Sequence, residues 1–207
     1  AGRVYDDFTR GGNVGDYKYQ YNLPVFLSID FGYRLPAAVF YQIIKDNKGL
    51  EHIYVIDEII HKRNLKTAEF VNLIKDKKYN INRVFGDPAG YQVQASVGVG
   101  EAEIFYQMTG KRVFSIRDKA SRNINSGISH IRNFILSQTG LRRLHIDQGC
   151  RGLIEDLEGY RYPEEVEGKE LKPNPLKDGY FEHGCDALRY GILNSIPIKK
   201  NKMRTSK

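Results

Sequence analysis

The run Val25-Phe26-Leu27-Ser28-Ile29-Asp30-Phe31-Gly32 constrains the fold of this chain more than any other stretch, because an apolar, β-prone segment stops on a carboxylate and a glycine. Such a run reads as a central strand covered on both faces. An ionised Asp there costs several kcal/mol unless it is paired, hydrogen-bonded or bound to a metal. Two readings of Asp30 stand side by side: a side chain that caps a turn as the strand ends, or one member of a functional cluster. Gly32 adds that another backbone, or a ligand's phosphate, can approach closely. The choice depends on whether further acids reach the same place.

Downstream, Tyr33-Arg34-Leu35-Pro36 makes a turn, and Ala37 to Lys45 reads as a second strand. Asp46-Asn47-Lys48-Gly49 gives a hairpin turn, followed by a third strand over His52 to Ile60, so the first three strands form an antiparallel meander. Thr67 caps a first amphipathic helix through Phe70, Val71, Leu73 and Ile74. A short strand, Asn82 to Phe85, then breaks at Gly86-Asp87-Pro88-Ala89-Gly90. Residues 91–109 are ambiguous, since Val97-Gly98-Val99-Gly100 weakens a helix that Glu101 to Met108 supports. Arg112 to Ile116 is a further short strand, and Ser121 to Leu136 a second amphipathic helix on Ile124, Ile128, Ile131 and Ile135. Leu144 to Ile146 makes a small strand, and Gly149 to Tyr160 a helix. Residues 160–182 read as an exposed hairpin or loop, ahead of a last helical pattern from His183 through Leu193. Residues 1–24 show no sustained period and read as a lead-in, and residues 197–207 as a basic disordered tail. Three strands and then alternating helices and strands predict an α/β fold, a mixed sheet flanked by helices.

Asp87 is thus a second acid at a strand tip, and parallel pairing of the first and fourth strands would set it beside Asp30. Asp186 on the last helix completes a set of three. Three carboxylates that close repel one another unless a divalent cation neutralises them. Hard oxygen donors suit Mg²⁺ or Mn²⁺, and two such ions form a clamp for phosphodiester hydrolysis. His183 lies three residues before Asp186, on the same helix face. It suits a metal ligand or a proton acceptor, and equally a helix cap or a phosphate contact.

The formal net charge of +7 over 207 residues agrees with a polyanionic partner and a single domain with a core of its own. No apolar run of membrane-spanning length and no leader pattern is visible, which gives an intracellular expectation. Cys150 and Cys185 match no zinc spacing and are expected as reduced thiols.

Ile29-Asp30-Phe31-Gly32, Gly86-Asp87-Pro88-Ala89-Gly90, the helix with Gly127-Ile128 and His130-Ile131-Arg132, and above all His183-Gly184-Cys185-Asp186-Ala187-Leu188-Arg189-Tyr190 resemble the nuclease domain of tailed-bacteriophage large terminases. The resemblance spans roughly residues 20–195 and implies a ribonuclease-H-like fold. It further implies a divalent-metal-dependent endonuclease, with two Mg²⁺ or Mn²⁺ ions, that cuts double-stranded viral DNA concatemers as genome packaging starts and ends. By position, Asp30 would bridge both ions, Asp87 would bind or position one, Asp186 would complete the site, and His183 would join them. It implies a nuclease domain over residues 25–196, with residues 1–24 a linker from an N-terminal ATPase motor. No Gly-x4-Gly-Lys-Ser/Thr occurs in this chain to mark that motor. The portal protein and the small terminase subunit are the implied partners. The implied location is the host bacterial cytoplasm and, transiently, the procapsid portal. The isolated domain is expected to be a monomer without membrane contact.

DNA contacts are expected along a face with Lys119, Arg122, Arg132, Arg142 and Arg143, and on the 160–182 loop with Lys169, Lys172 and Lys177. Each of these is also an ordinary solvated charge, and the loop's Glu164, Glu165, Glu167 and Glu170 oppose a purely basic clamp. Asp57 and Glu58 offer a further acid near the site or a solvated strand end. His52, His61, His130 and His145 share no ligand spacing. Asp-Phe-Gly also occurs in protein kinases, but neither a Gly-rich loop nor a catalytic-loop motif accompanies it. Two rivals remain: another ribonuclease-H-like nuclease, such as a junction resolvase or transposase, and a non-catalytic DNA-binding or docking module.

Overall fold

A computed structural model describes residues 2–32, 34–87, 100–115, 123–164 and 174–198. The apolar run forms β2 (Val25–Asp30), beside β3 (Ala37–Lys45) and β4 (Glu51–Ile59). β2 pairs antiparallel with β3 and β3 antiparallel with β4, the expected meander. The other strands are β1 (Val14–Gly15), β5 (Ile81–Gly86), β6 (Val113–Phe114) and β7 (Leu144–Asp147). They complete a mixed sheet of seven strands in the order β1-β7-β4-β3-β2-β5-β6.

Both faces of the sheet are covered, as the unbroken apolar character of β2 requires. Val25, Leu27 and Ile29 face one layer with Ala38, Phe40, Phe70, Val71 and Ile74. That layer is built by α2 (Thr67–Asp76) and α3 (Glu101–Thr109). Ala37, Val39, Tyr41, Ile53 and Val55 point to the opposite layer, with Ile131, Leu153 and Leu188. There lie α4 (Ile124–Ile135), α5 (Arg151–Gly159) and α6 (Glu182–Ser195). The period of two along each strand sends alternate side chains to the two layers.

α6 crosses β2 at short range. A Cβ on Gly191 would meet Ser28 Oγ at 2.7 Å and Tyr41 Cε1 at 2.9 Å, and Tyr41 Oη donates to the Gly191 carbonyl at 3.0 Å. β2 and β5 run parallel, with Ile29 opposite Gly86. A Cβ on Gly86 would meet Val113 Cγ1 at 2.9 Å and the Ile29 carbonyl at 3.2 Å, so a side chain there would force Val113 or the β2 backbone to shift.

Three expectations are corrected. Residues 2–15 are not a loose lead-in: Val4, Tyr5 and Phe8 are fully buried, α1 (Arg10–Asn13) follows, and β1 pairs parallel with β7. The backbone N–H of Val4 donates to the Tyr160 carbonyl at 2.8 Å, and that of Tyr162 to Gly2 at 3.1 Å, so this segment and residues 160–162 hold each other. Thr67 is the first residue of α2 rather than its cap, and the Glu69 carboxylate accepts the Lys66 N–H at 2.8 Å. The helix expected from Ser121 starts at Ile124 behind Asn123, whose side chain accepts the Ser126 N–H. Cys150 and Cys185 are free and buried. Among the described residues no helix is long and apolar enough to cross a membrane.

Candidate active site

Parallel pairing of β2 with β5 brings two acids to one edge of the sheet. With Ile29 opposite Gly86, the next step along the two chains is Asp30 beside Asp87. The third group comes from α6, laid over β2 with its N-terminal end at the same edge. His183 Nδ1 lies 2.8 Å from Asp30 Oδ2, and Asp186 is buried one turn further along. Asp186 accepts from the Arg189 guanidinium at 2.7 Å, a pair with both side chains only 8% exposed.

The electrostatics report that convergence. Burial, together with the charges of Asp186 and Asp87, pushes the Asp30 carboxyl up to about 6 against the pull of His183. His183 is raised above its ordinary range, chiefly by its hydrogen bond to Asp30. Asp186, Asp30 and Asp87 also add to burial in raising the Tyr190 phenol. Mutual repulsion of carboxylates at a buried edge is relieved by a bound cation, and the oxygen-rich donor set fits a hard divalent ion. His183, hydrogen-bonded to Asp30, and Arg189, paired with Asp186, flank the acids. Among the described residues, no three His, Cys, Asp or Glu side chains are arranged as a ready ligand set for a metal.

Asp57 and Glu58 serve other ends. Asp57 binds Lys77 Nζ at 2.9 Å and Tyr79 Oη at 3.0 Å. Glu58 accepts the first-turn N–H groups of Gly152 and Leu153 in α5, both at 2.7 Å. Arg132 donates to the Val4 carbonyl at 2.8 Å, Arg142 to Asn13 Oδ1 at 2.8 Å, and Arg143 stacks over Phe134 at 4.1 Å. These three arginines of the expected DNA face thus hold the fold together. Lys177 is exposed, while Lys119, Arg122, Lys169 and Lys172 lie outside the described residues, as do Pro88 to Gly90 and the tail beyond 198. A Cβ on Gly32 would meet nothing within 4 Å among the described residues.

Two residues beside the site escaped sequence reasoning. Asp156 of α5 is fully buried, with Oδ1 2.7 Å from His61 Nε2 and Oδ2 accepting the Gly184 N–H at 2.9 Å. His61 shares no ligand spacing with the other histidines, yet it lies close enough to His183 for their charges to act on each other. A signal for Asp156 existed: it lies three residues after Leu153 and four before Tyr160, on the apolar face of its helix.

No protein-family model matches the chain. It is 28% identical over 203 residues to the large terminase subunit of Escherichia phage T5, covering 93% of this chain and 42% of that protein. Among solved structures, the large terminase of the thermophilic bacteriophage D6E superposes with a TM-score of 0.69 at 18% identity, over 96% of this chain and 45% of the other. The nuclease domain of the g2p large terminase from bacteriophage SPP1, with bound manganese, gives a TM-score of 0.63 at 14% identity, over 94% of this chain and 100% of that domain. The mixed α/β sheet flanked by helices that the element order predicts shares its fold with the SPP1 terminase nuclease domain, the ribonuclease-H-like arrangement that the resemblance implies. The likeness to phage large terminases, carried first by Asp30, Asp87 and the His183 to Tyr190 motif, extends over nearly the whole chain. The chain spans less than half the length of the T5 and D6E proteins.

Proposed function

We propose that this chain is the nuclease part of a phage large terminase, an endonuclease that hydrolyses double-stranded viral DNA with Mg²⁺ or Mn²⁺ at the start and end of genome packaging. The observation that carries the reading is the meeting of Asp30, Asp87, Asp186 and His183 at one edge of a sheet with this fold. Bound divalent cations, two by this reading, supply the charge that makes a water nucleophilic near neutral pH and steadies the negative charge developing on the phosphate. Asp30, Asp87 and Asp186 would hold these ions, Asp30 lying where the other two converge. His183 sits where it can take a proton from the attacking water or ligate an ion once its bond to Asp30 is exchanged. Arg189 holds Asp186 in place.

The remainder of the packaging enzyme follows from the same reading: an ATPase motor ahead of this domain, a portal and a small terminase subunit as partners, and action in the host cytoplasm at the procapsid. Exposed Lys177 and the basic residues outside the described segments are the DNA contacts it calls for. Plasmid cleavage with Mn²⁺, with Mg²⁺ and with chelator tests the activity. Asp30→Asn and Asp186→Asn are expected to lower the rate by at least about 10²-fold, the scale seen when one charge-stabilising group leaves a site. Full activity in either variant sinks the assignment. Preference for a four-way junction or an RNA–DNA hybrid over linear duplex would favour another nuclease of this fold.

A further inference from the structure

The first turn of α6 carries His183 and Asp186, and its N–H groups have no acceptor within the helix. The residue ahead of the helix, Phe181, provides no side-chain cap. The Gly184 N–H is taken instead by Asp156 of α5, at 2.9 Å. This contact explains a letter of the sequence: any Cβ on residue 184 would collide with the Asp156 carboxylate, so the position between the two functional residues has to be glycine. The other Asp156 oxygen is held at 2.7 Å by His61 Nε2. His61, just past the end of β4, adopts φ of 60°, a left-handed conformation that is unfavourable for a non-glycine residue and persists only where the surroundings enforce it. Its ring stacks on Tyr180 with centroids 4.2 Å apart, and its Nδ1 lies 3.2 Å from Tyr180 Oη. Tyr180 sits two residues before α6, in a turn whose Gly179 and Tyr180 N–H groups both donate to Glu182.

We propose that Asp156 and His61 are positioning residues of the cleavage site, which fix the first turn of α6 and thereby the placement of His183 and Asp186 relative to Asp30. The inference rests on the nuclease reading. Neither residue is hydrogen-bonded to Asp30; they act through the helix backbone and the turn leading into it. Burial raises the Asp156 carboxyl to about 9 and lowers His61, two shifts that both disfavour an ion pair across the 2.7 Å contact. An amide at 156 can reproduce both bonds, accepting from Gly184 and donating to His61, whereas a methyl group can reproduce neither.

The test compares Asp156→Ala, Asp156→Asn and His61→Phe in the whole chain, by the Mn²⁺ concentration giving half-maximal plasmid cleavage and by amide hydrogen exchange in residues 180–188. Asp156→Ala is expected to raise the Mn²⁺ midpoint about 10- to 100-fold, the range for losing a partner that orients a metal ligand, and to speed exchange in the α6 first turn. Asp156→Asn should restore both to near wild type. His61→Phe, which keeps the stack on Tyr180 but not the bond to Asp156, should shift both in the same direction by less, and it decides the matter if Asp156→Ala does not fold. A folded Asp156→Ala with the wild-type midpoint and exchange overturns the proposal, and so does an Asn variant as impaired as the Ala. If the wild type fails to cleave with any divalent ion, the nuclease reading falls, while exchange still reports whether Asp156 anchors α6.

Discussion

Replacing Gly191 by alanine tests whether the distance between α6 and the sheet sets the activity. The new Cβ would lie 2.7 Å from Ser28 Oγ and 2.9 Å from Ser28 Cβ and Tyr41 Cε1, so the helix must retreat by about 0.7 Å before the nearest contact reaches 3.4 Å. Tyr41 cannot swing aside without losing its hydrogen bonds to the Gly191 carbonyl at 3.0 Å and Ser195 Oγ at 2.5 Å. Overpacking of this kind costs about 1–3 kcal/mol, and alanine returns about 1 kcal/mol through its better helix propensity. The net loss of about 1 kcal/mol corresponds to about 2–4 °C in Tm for a domain of this size. The site suffers more. His183 and Asp186 ride on the same helix as residue 191, and misplacement by about 1 Å can cost about 10²-fold in rate. We therefore expect Gly191→Ala to melt only a few degrees lower while Mn²⁺-dependent plasmid cleavage, measured well below Tm, falls at least about tenfold. Adding Ser28→Ala removes the nearest atom and should recover part of the loss. Wild-type turnover in Gly191→Ala would refute the idea that this contact sets the site.

Ser28 Oγ is buried with no hydrogen-bond partner among the described residues, so Ser28→Ala alone should raise stability by about 1 kcal/mol in chemical denaturation, and a loss of that size would show that the hydroxyl is satisfied. His145 is lowered to about 4 by burial and then by His52, whose Nδ1 lies 2.9 Å from its Nε2. Its folded value is depressed below the unfolded 6.5, so the unfolded chain binds more protons between these values, and stability present above pH 6.5 is lost as pH falls towards 4. The shift corresponds to about 3 kcal/mol. Solvent reaching the half-buried ring reduces this to about 1–2 kcal/mol. His145→Phe should flatten the fall in urea midpoint between pH 7 and 4.5, and an unchanged slope would remove His145 from the account.

Much of the architecture was legible because it depends on local pattern. β2, β3 and β5 announce themselves through β-prone runs that end in turn residues, and α6 through the helical spacing of Ala187, Tyr190 and Leu193, of which Ala187 and Leu193 are buried and Tyr190 is half-buried. The parallel pairing that joins Asp30 to Asp87 was a condition of the argument, and the register meets it. What escaped depends on partners distant in sequence. Val4, Tyr5 and Phe8 are too few to show a period, and they are buried by helices more than 100 residues downstream. Arg132 resembles any basic residue on an amphipathic helix until the Val4 carbonyl meets it. Asp156 stands in sequence between Glu155 and Glu158, yet its phase on α5 places it inward, where His61 and the Gly184 N–H satisfy its carboxylate.

The narrow space at Gly86 acts as an alignment gauge for the whole edge. β5 carries a register shift against β2 between Val25 and Phe26, and the ladder is regular from Phe26 to Ile29. Sliding β5 by one residue would bring Phe85 or Asp87 opposite Ile29, where a Cβ at residue 86 already meets Val113 at 2.9 Å and the Ile29 carbonyl at 3.2 Å, so a slipped register would have to displace Val113 or β2. The register that sets Asp30 beside Asp87 is thus favoured by the one residue of the strand that has no side chain.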